Sequence, residues 1–248
     1  MQTPLKGKRV LVTGATGSIG QAVAVELAQQ GVQVIASGRS KEKLASLQKL
    51  LEGEGHEMLP VDIACTENIE KLVKQAAAGG KLTGLVHCAG GGLITPLRTL
   101  TQRVLEDHMR LNFYAFVELT RQFTKKKYVS ETGASIVGLS SFASTNGEQG
   151  QTAYAAAKAA MDAAVQTLAY ELAPKKIRIN SIRPGMIRSE ATEGYLRDMG
   201  EERYNALVCK QLLGLGEPRD VALLCAYLQS DAARFMTGRC IYLDGGRL

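Results

Sequence analysis

Residues 8–20 read Lys8-Arg9-Val10-Leu11-Val12-Thr13-Gly14-Ala15-Thr16-Gly17-Ser18-Ile19-Gly20. The apolar run through Thr13 predicts a short strand, and the pattern from Ile19 to Gln30, stopped by Gly31, predicts a helix. Three glycines occupy the turn between them. Gly14 suits a tight turn, Gly17 lets the backbone approach a ligand closely, and Gly20 lets the helix pack near the strand. The amides around Thr16, Ser18 and Ile19 then stand at a helix N-terminus, where the backbone dipole favours a pyrophosphate. No Gly-Lys-Ser/Thr ending follows, so a phosphate-hydrolysing loop is disfavoured.

The same alternation continues along the chain. Strands are predicted at Val32–Ser37, Glu57–Val61, Leu82–Cys88, Ser135–Leu139, Ile177–Ile182 and Cys240–Leu243. Helices are predicted at Lys41–Leu51, with Leu44, Leu47, Leu50 and Leu51 on one stripe, and at Asn68–Ala78, Gln151–Leu172 and Arg219–Gln229. A long helical stretch with a potential break covers Thr101–Lys127. Short apolar strands separated by helices indicate an α/β protein with a Rossmann-like, doubly wound parallel sheet and helices on both faces. Ligands in such a sheet gather at the carboxyl ends of the strands, where the glycine clusters after the first and fourth strands lie. The whole of 1–248 reads as one domain. Residues 185–216 have weak periodicity and are expected to form a loop with short helices that covers a substrate.

Composition excludes several classes. The apolar fraction of 45% and charged fraction of 22% fit an ordinary soluble domain, and no run approaches a membrane span. The formal charge of +6 has no basic tail behind it; its compact run is Lys125–Lys127, read as a solvated helix end with an acidic partner as the alternative, and nucleic acid is not expected. Cys65, Cys88, Cys209, Cys225 and Cys240 form no CxxC pair, which argues against a disulfide framework or structural zinc and fits a reducing cytoplasm. His56, His87 and His108 lack a metal-ligand spacing, and His87 reads as a hydrogen-bonded core residue. No secretory h-region precedes the first strand.

The end of the second strand should meet an adenosine ribose. A carboxylate there would repel a 2′-phosphate, but the sequence has Ser37-Gly38-Arg39-Ser40. The Arg39 guanidinium and the Ser40 hydroxyl suit a phosphate, so NADP(H) is favoured over NAD(H). Asp62, followed by Ile63 after the third strand, can accept a hydrogen bond from adenine, or can cap the next helix.

These features, together with Tyr154-Ala155-Ala156-Ala157-Lys158, Ser141 thirteen residues before Tyr154, Asn112 in Leu111-Asn112-Phe113, Pro184-Gly185 and Asp244-Gly245-Gly246, resemble the short-chain dehydrogenase/reductase family. Within it, the chain resembles the compact branch of about 250 residues and, in that branch, the bacterial 3-oxoacyl-[acyl-carrier-protein] reductases. The resemblance covers nearly the whole chain. It implies a catalytic set of Asn112, Ser141, Tyr154 and Lys158, with Lys158 on the nicotinamide ribose and Asn112 holding a water that joins Lys158 to solvent. It also implies cofactor contacts at Cys88, Ala89, Gly90, Pro184, Gly185, Ile187 and Ser189, and a homotetramer.

Three departures stand out. The turn has Gly17-Ser18 where compact members usually place glycine at the second of these positions, and no basic residue occupies position 17. His87-Cys88 replaces the usual Asn-Asn, with Cys88 read as a buried strand-end thiol. Tyr170 replaces an arginine expected to hold an acidic carrier, although Lys125–Lys127 retains positive charge.

The residue types suit the implied chemistry. Tyr154 and Lys158 share a helix face about 6 Å apart along the axis. A nearby ammonium is expected to lower the phenol pKa, so that Tyr154 can donate a proton to a developing alkoxide while Ser141 stabilises its charge. No metal is required. The expected reaction is NADPH-dependent reduction of a carbonyl, with a 3-oxoacyl thioester, carried by an acyl carrier protein or not, as leading substrate. A ketone reductase or alcohol dehydrogenase for a small apolar substrate and an NADP-binding interaction protein are the alternatives.

Overall fold

Seven strands form one wholly parallel sheet in the order β3-β2-β1-β4-β5-β6-β7. They are β1 (Arg9–Thr13), β2 (Gln33–Gly38), β3 (Glu57–Pro60), β4 (Gly84–His87), β5 (Ala134–Leu139), β6 (Ile177–Pro184) and β7 (Arg239–Leu243). The computed structural model describes residues 5–92, 94–190, 192–194 and 200–247.

Side-chain alternation explains the layering. Val10, Val12, Val34, Ala36, Val86 and Val137 face one core, whereas Leu11, Ile35, Leu85 and Ile136 face the other. The first core is closed by α1 (Ser18–Gln29), α2 (Lys41–Gln48) and, late in the chain, the helix Pro218–Gln229, through Val23, Leu27, Leu44, Leu47 and Val221. The second is closed by α3 (Glu67–Ala76), α5 (Ala115–Phe123) and α6 (Thr152–Leu172), through Leu72, Phe116, Leu119, Met161 and Val165. The predicted α/β sandwich is therefore present. Strand order reverses between β1 and β4, which opens a crevice above their carboxyl ends.

The expected helical stretch 101–127 is broken. Helix α4 (Gln102–Met109), capped by the Thr101 hydroxyl on the Val104 amide, gives way to a π-helical turn at Arg110–Tyr114 before α5 begins. Such turns recur at functional positions because the extra residue re-aims a side chain; here the turn carries Asn112 inward to full burial.

One predicted helix is too long. Helix α2 ends at Gln48, and the amides of Leu50 and Leu51 turn back to the carbonyls of Leu47 and Gln48. This tighter winding rotates Leu50 off the apolar stripe, leaving it 51% exposed while Leu51 stays buried. The described residues of 185–216 include loop and the short helix α7 (Glu201–Val208), before α8 (Pro218–Gln229). The two ends of that segment are zipped: Arg188 donates to the Gly216 carbonyl and Gly216 to that of Met186. Residues 191 and 195–199, which fall within the predicted covering segment, lie outside the described residues. Among the described residues, no helix is long and apolar enough to cross a membrane.

Leu27 is fully buried between α1 and the sheet, so Leu27→Ala is expected to lower stability by about 2–5 kcal/mol. Leu50→Ala should change it by no more than about 0.5 kcal/mol. Chemical denaturation of both variants at one protein concentration checks the contrast.

Candidate active site

The nucleotide turn is shaped by what its glycines exclude. Gly14 has φ +68°, and a Cβ there would stand 2.4 Å from the Ala89 amide nitrogen. A Cβ on Gly20 would stand 2.1 Å from the Gly14 carbonyl oxygen, so α1 can approach the turn only without a side chain. Gly17 is different: it is exposed, its Cβ would meet nothing closer than 3.6 Å, and as N-cap it supplies no side-chain hydrogen bond to the helix. The first-turn amides thus face an open cradle of about 460 Å³, lined by Gly14–Gln21 and by Lys43 across the turn. This is the shape a pyrophosphate needs.

Of the predicted cofactor residues, Gly14, Thr16, Ser18, Ile19, Gly20, Cys88, Gly90 and Ser189 line this cradle. Tyr154, Lys158, Pro184, Gly185 and Ile187 line an adjoining cleft of about 640 Å³, which shares Ile19, Cys88, Gly90 and Ser189 with it. Arg39, Ser40, Asp62, Ile63 and Ala89 line neither. Arg39 is exposed beside the turn. The Ser40 hydroxyl is engaged, accepting from the Lys43 amide at 3.1 Å as the cap of α2 and donating to Glu42 at 2.7 Å. That bond holds the Glu42 carboxyl below its usual range. Asp62 accepts from the Ala64 amide, a turn contact rather than a helix cap. Ile63 is a core residue, and Ala89 supports the turn beneath Gly14.

Three elements bring the predicted catalytic residues together. Strand β5 ends at Leu139, and Ser141 follows in extended conformation, its hydroxyl accepting from the Ala143 amide at 3.1 Å. Tyr154 and Lys158 lie on the first turns of α6, with the Tyr154 oxygen facing the Ser141 hydroxyl. Lys158 is buried; its Nζ donates to the Leu139 carbonyl at 2.6 Å and lies 5.7 Å from the Tyr154 ring centroid. Asn112 reaches across from the π-helical turn. Its Nδ2 donates to the carbonyls of Gly91 at 3.1 Å and His108 at 3.0 Å, and its Oδ1 accepts from the Gly91 amide at 3.3 Å.

Gly90 is the junction of this set. A Cβ there would fall 2.8 Å from Asn112 Oδ1 and 2.9 Å from Lys158 Nζ, and one on Gly92 would fall 2.6 Å from the Tyr154 ring. The glycine run after β4 therefore leaves room for the Asn112, Lys158 and Tyr154 side chains.

The electrostatics correct one expectation. Burial pushes the Tyr154 phenol above its usual range, partly offset by the Ser141 hydroxyl; proximity to Lys158 does not lower it here. The ammonium is turned to the Leu139 carbonyl and lies 5.7 Å from the Tyr154 ring centroid. Burial also brings Lys158 down to about 8, against the opposing charge of Asp162 one turn along α6. His87 is a core residue as expected, with Nδ1 2.9 Å from the Thr13 hydroxyl, and burial lowers its pKa to about 3, so the ring is neutral. Burial raises Cys88 to about 12, which keeps the thiol protonated and argues against a reactive thiolate.

Sequence reading missed Lys43 in the cradle and the Glu148–Arg247 ion pair in the cleft wall. Lys43 could have been found one turn into the helix after Arg39. Glu148 and Arg247 are 99 positions apart, and no local signal joins them.

The chain matches a family described as enoyl-(acyl carrier protein) reductase over residues 14–247. It is 35% identical over 245 residues to the 3-oxoacyl-[acyl-carrier-protein] reductase of Rickettsia conorii, covering 98% of each chain. The 3-oxoacyl-[acyl-carrier-protein] reductase of Thermotoga maritima is 34% identical over 252 residues, again with 98% of each covered. Among solved structures, a short-chain dehydrogenase/reductase from Mycobacterium ulcerans superposes with a TM-score of 0.90 at 34% identity, over 97% of this chain and 90% of that one. A 7α-hydroxysteroid dehydrogenase, solved with NADH and 7-oxo glycochenodeoxycholic acid, gives 0.92 at 27% identity, over 100% and 96%. The parallel sheet, the glycine cradle and these full-length likenesses agree: the chain belongs to the short-chain dehydrogenase/reductase family, close to the bacterial 3-oxoacyl-[acyl-carrier-protein] reductases, and is an NAD(P)-dependent oxidoreductase acting on carbonyl or alcohol groups.

Proposed function

We propose that this protein reduces the 3-oxo group of an acyl thioester to a secondary alcohol with NADPH. The observation that carries the reading is that Ser141, Tyr154 and Lys158 line one cleft, with the Ser141 hydroxyl close enough to act on the Tyr154 phenol and the Lys158 ammonium bound to the Leu139 carbonyl. A carbonyl oxygen placed there would meet two donors where its negative charge grows. Bound nicotinamide supplies the hydride. The Gly14–Gly20 cradle would hold the pyrophosphate, and Tyr154, Lys158, Pro184, Gly185, Ile187 and Ser189 would border the nicotinamide half.

In reduction, Tyr154 Oη donates its proton to the substrate oxygen, while Ser141 Oγ–H keeps a hydrogen bond on that oxygen. Stabilising the resulting phenolate requires the Lys158 ammonium to turn from the Leu139 carbonyl toward Tyr154 Oη as the proton leaves. The raised phenol pKa keeps Tyr154 protonated and ready to donate at neutral pH. The Asn112 side chain anchors Gly91 and so fixes the glycine run above Lys158; its Oδ1 accepts one hydrogen bond from the protein and keeps a second lone pair for a water.

The substrate assignment draws on the named activity of the relatives and on the cleft walls. Ile94, Phe142, Ala143, Met186 and Ile187 offer an apolar lining for an acyl chain, and Asn146 and Gln151 offer polar groups. Carrier-linked delivery would compete with existing contacts, because Lys125 pairs with Glu70 at 3.1 Å and Lys127 lies 4.7 Å from the Tyr128 ring centroid. Parent enzyme should turn over a 3-oxoacyl thioester with a higher kcat/KM than simple ketones; equal or better turnover of the ketones would overturn the thioester assignment.

Tyr154→Phe is expected to lower kcat by roughly 10²–10⁴-fold while leaving the NADPH Kd within about twofold; stopped-flow turnover and fluorescence titration test the two halves separately. The pH profile follows from Lys158. Its charged form, present below its pKa of about 8, stabilises the phenolate, so kcat for reduction should hold near neutrality and fall as pH rises through that value. A profile flat to pH 10, roughly the reference phenol pKa, would contradict this role for Lys158.

NADPH preference is proposed to rest on Arg39 and Lys43 acting against the Glu42 carboxylate. Arg39→Ala and Lys43→Ala should each weaken NADPH more than NADH, and Glu42→Gln should strengthen NADPH by removing a like charge. Titrations with both nucleotides measure the sign of each change.

A further inference from the structure

The wall of the cleft is made where two distant segments meet. One is the loop 142–151, which joins Ser141 to the helix bearing Tyr154; the other is the end of the chain, from β7 to Arg247. Four contacts tie them together. The Arg247 guanidinium lies 4.7 Å from the Phe142 ring centroid and donates to Glu148 Oε1. Tyr242 shares a hydrogen bond of 2.8 Å with Thr145 and meets Phe142 edge-on at 6.3 Å.

These contacts are anchored on both sides. The Arg247 side chain is only 5% exposed, so its pair with Glu148 is far less screened than an ordinary surface ion pair. Arg183 lies 5.0 Å from the Tyr242 ring centroid and donates at 2.8 Å to buried Asp162, which follows Lys158 by one turn of α6. Phe142 is bonded directly to Ser141, and the Ser141 hydroxyl caps the short turn Phe142–Ser144. Moving Phe142 therefore rotates the turn that orients Ser141.

We infer that Arg247 is a positioning residue for this reaction: stacked on Phe142 and paired with Glu148, it holds the Ser141 turn in register with Tyr154. The inference rests on the carbonyl-reducing role of Ser141 proposed above. Arg247 does not touch the reacting atoms in this account; it acts through the residue next to Ser141. A misplacement of about 1 Å in such a group can cost roughly 10²-fold in rate.

The test is a double-mutant cycle in the full-length protein, run on whichever carbonyl substrate the parent reduces best. Arg247→Ala should lower kcat about tenfold or more with the NADPH Kd unchanged within about twofold. Arg247→Lys, which keeps a cation facing Glu148, should recover part of the loss, and Glu148→Gln should lose less than Arg247→Ala because the stacking on Phe142 survives. In a Ser141→Ala background, Arg247→Ala should change kcat by less than about twofold, since the group it positions is gone.

An unchanged kcat in Arg247→Ala overturns the inference. So does an Arg247→Ala loss that persists undiminished in the Ser141→Ala background, or one matched by an equal loss of NADPH affinity. A wrong thioester assignment shows separately, in the substrate preference of the parent, and leaves the cycle readable on another carbonyl.

Discussion

A buried ammonium sets the terms of this site. Lys158 is almost wholly enclosed, and a charge withdrawn from water must find compensation or give up its proton. It finds some in the Leu139 carbonyl, at the end of β5, and some in the field of Asp162. The compensation is incomplete, which is why its pKa comes down toward neutrality. An amine in that condition responds strongly to a negative charge appearing beside it, and a phenolate at Tyr154 is such a charge. The same burial that lowers Lys158 raises the phenol. In the resting site both groups are thus displaced from their solution values in the directions that favour the neutral forms, and the ammonium is held by the Leu139 carbonyl.

The rest of the fold keeps that ammonium where it is. Strand β5 supplies the carbonyl, α6 supplies the lysine and the tyrosine, and the π-helical turn supplies Asn112 to pin the glycine run overhead. Gly90 has to lack a side chain because Asn112 and Lys158 already occupy the space its Cβ would take. The crevice between β1 and β4 places the glycine cradle beside this cluster, so that the first-turn segment of α1 and the Ser141 and Tyr154 side chains line adjoining cavities that share Ile19, Cys88, Gly90 and Ser189. His87 and Cys88 are accommodated as a neutral imidazole bonded to Thr13 and a protonated thiol. Neither adds a charge that would compete with Lys158.

Much of this was legible from residue order. The alternation of Val10, Leu11 and Val12 between two cores follows from strand geometry alone, and the glycines at 14 and 20 announced a turn that a Cβ would block. The spacing of the candidate pair is local as well, because four residues along α6 bring Tyr154 and Lys158 to one face. Leu50 escaped a periodic reading because a helix stripe persists only while the winding does, and α2 tightens at its end. The phosphate end was half visible. Arg39 could be placed after β2, but the capture of Ser40 by Glu42 depends on how the first turn of α2 closes.

The sequence by itself determined the parallel α/β layering and the glycine turn, since each depends on interactions spanning a few residues, and its family resemblance supplied the four candidate catalytic side chains. Only the tertiary structure decided the charge states within the site, the path of Asn112 to Gly91 and the meeting of Arg247 with Phe142 and Glu148. Those depend on burial and on contacts between segments far apart in the chain. Desolvation is a property of everything packed around a group, and no stretch of sequence contains it.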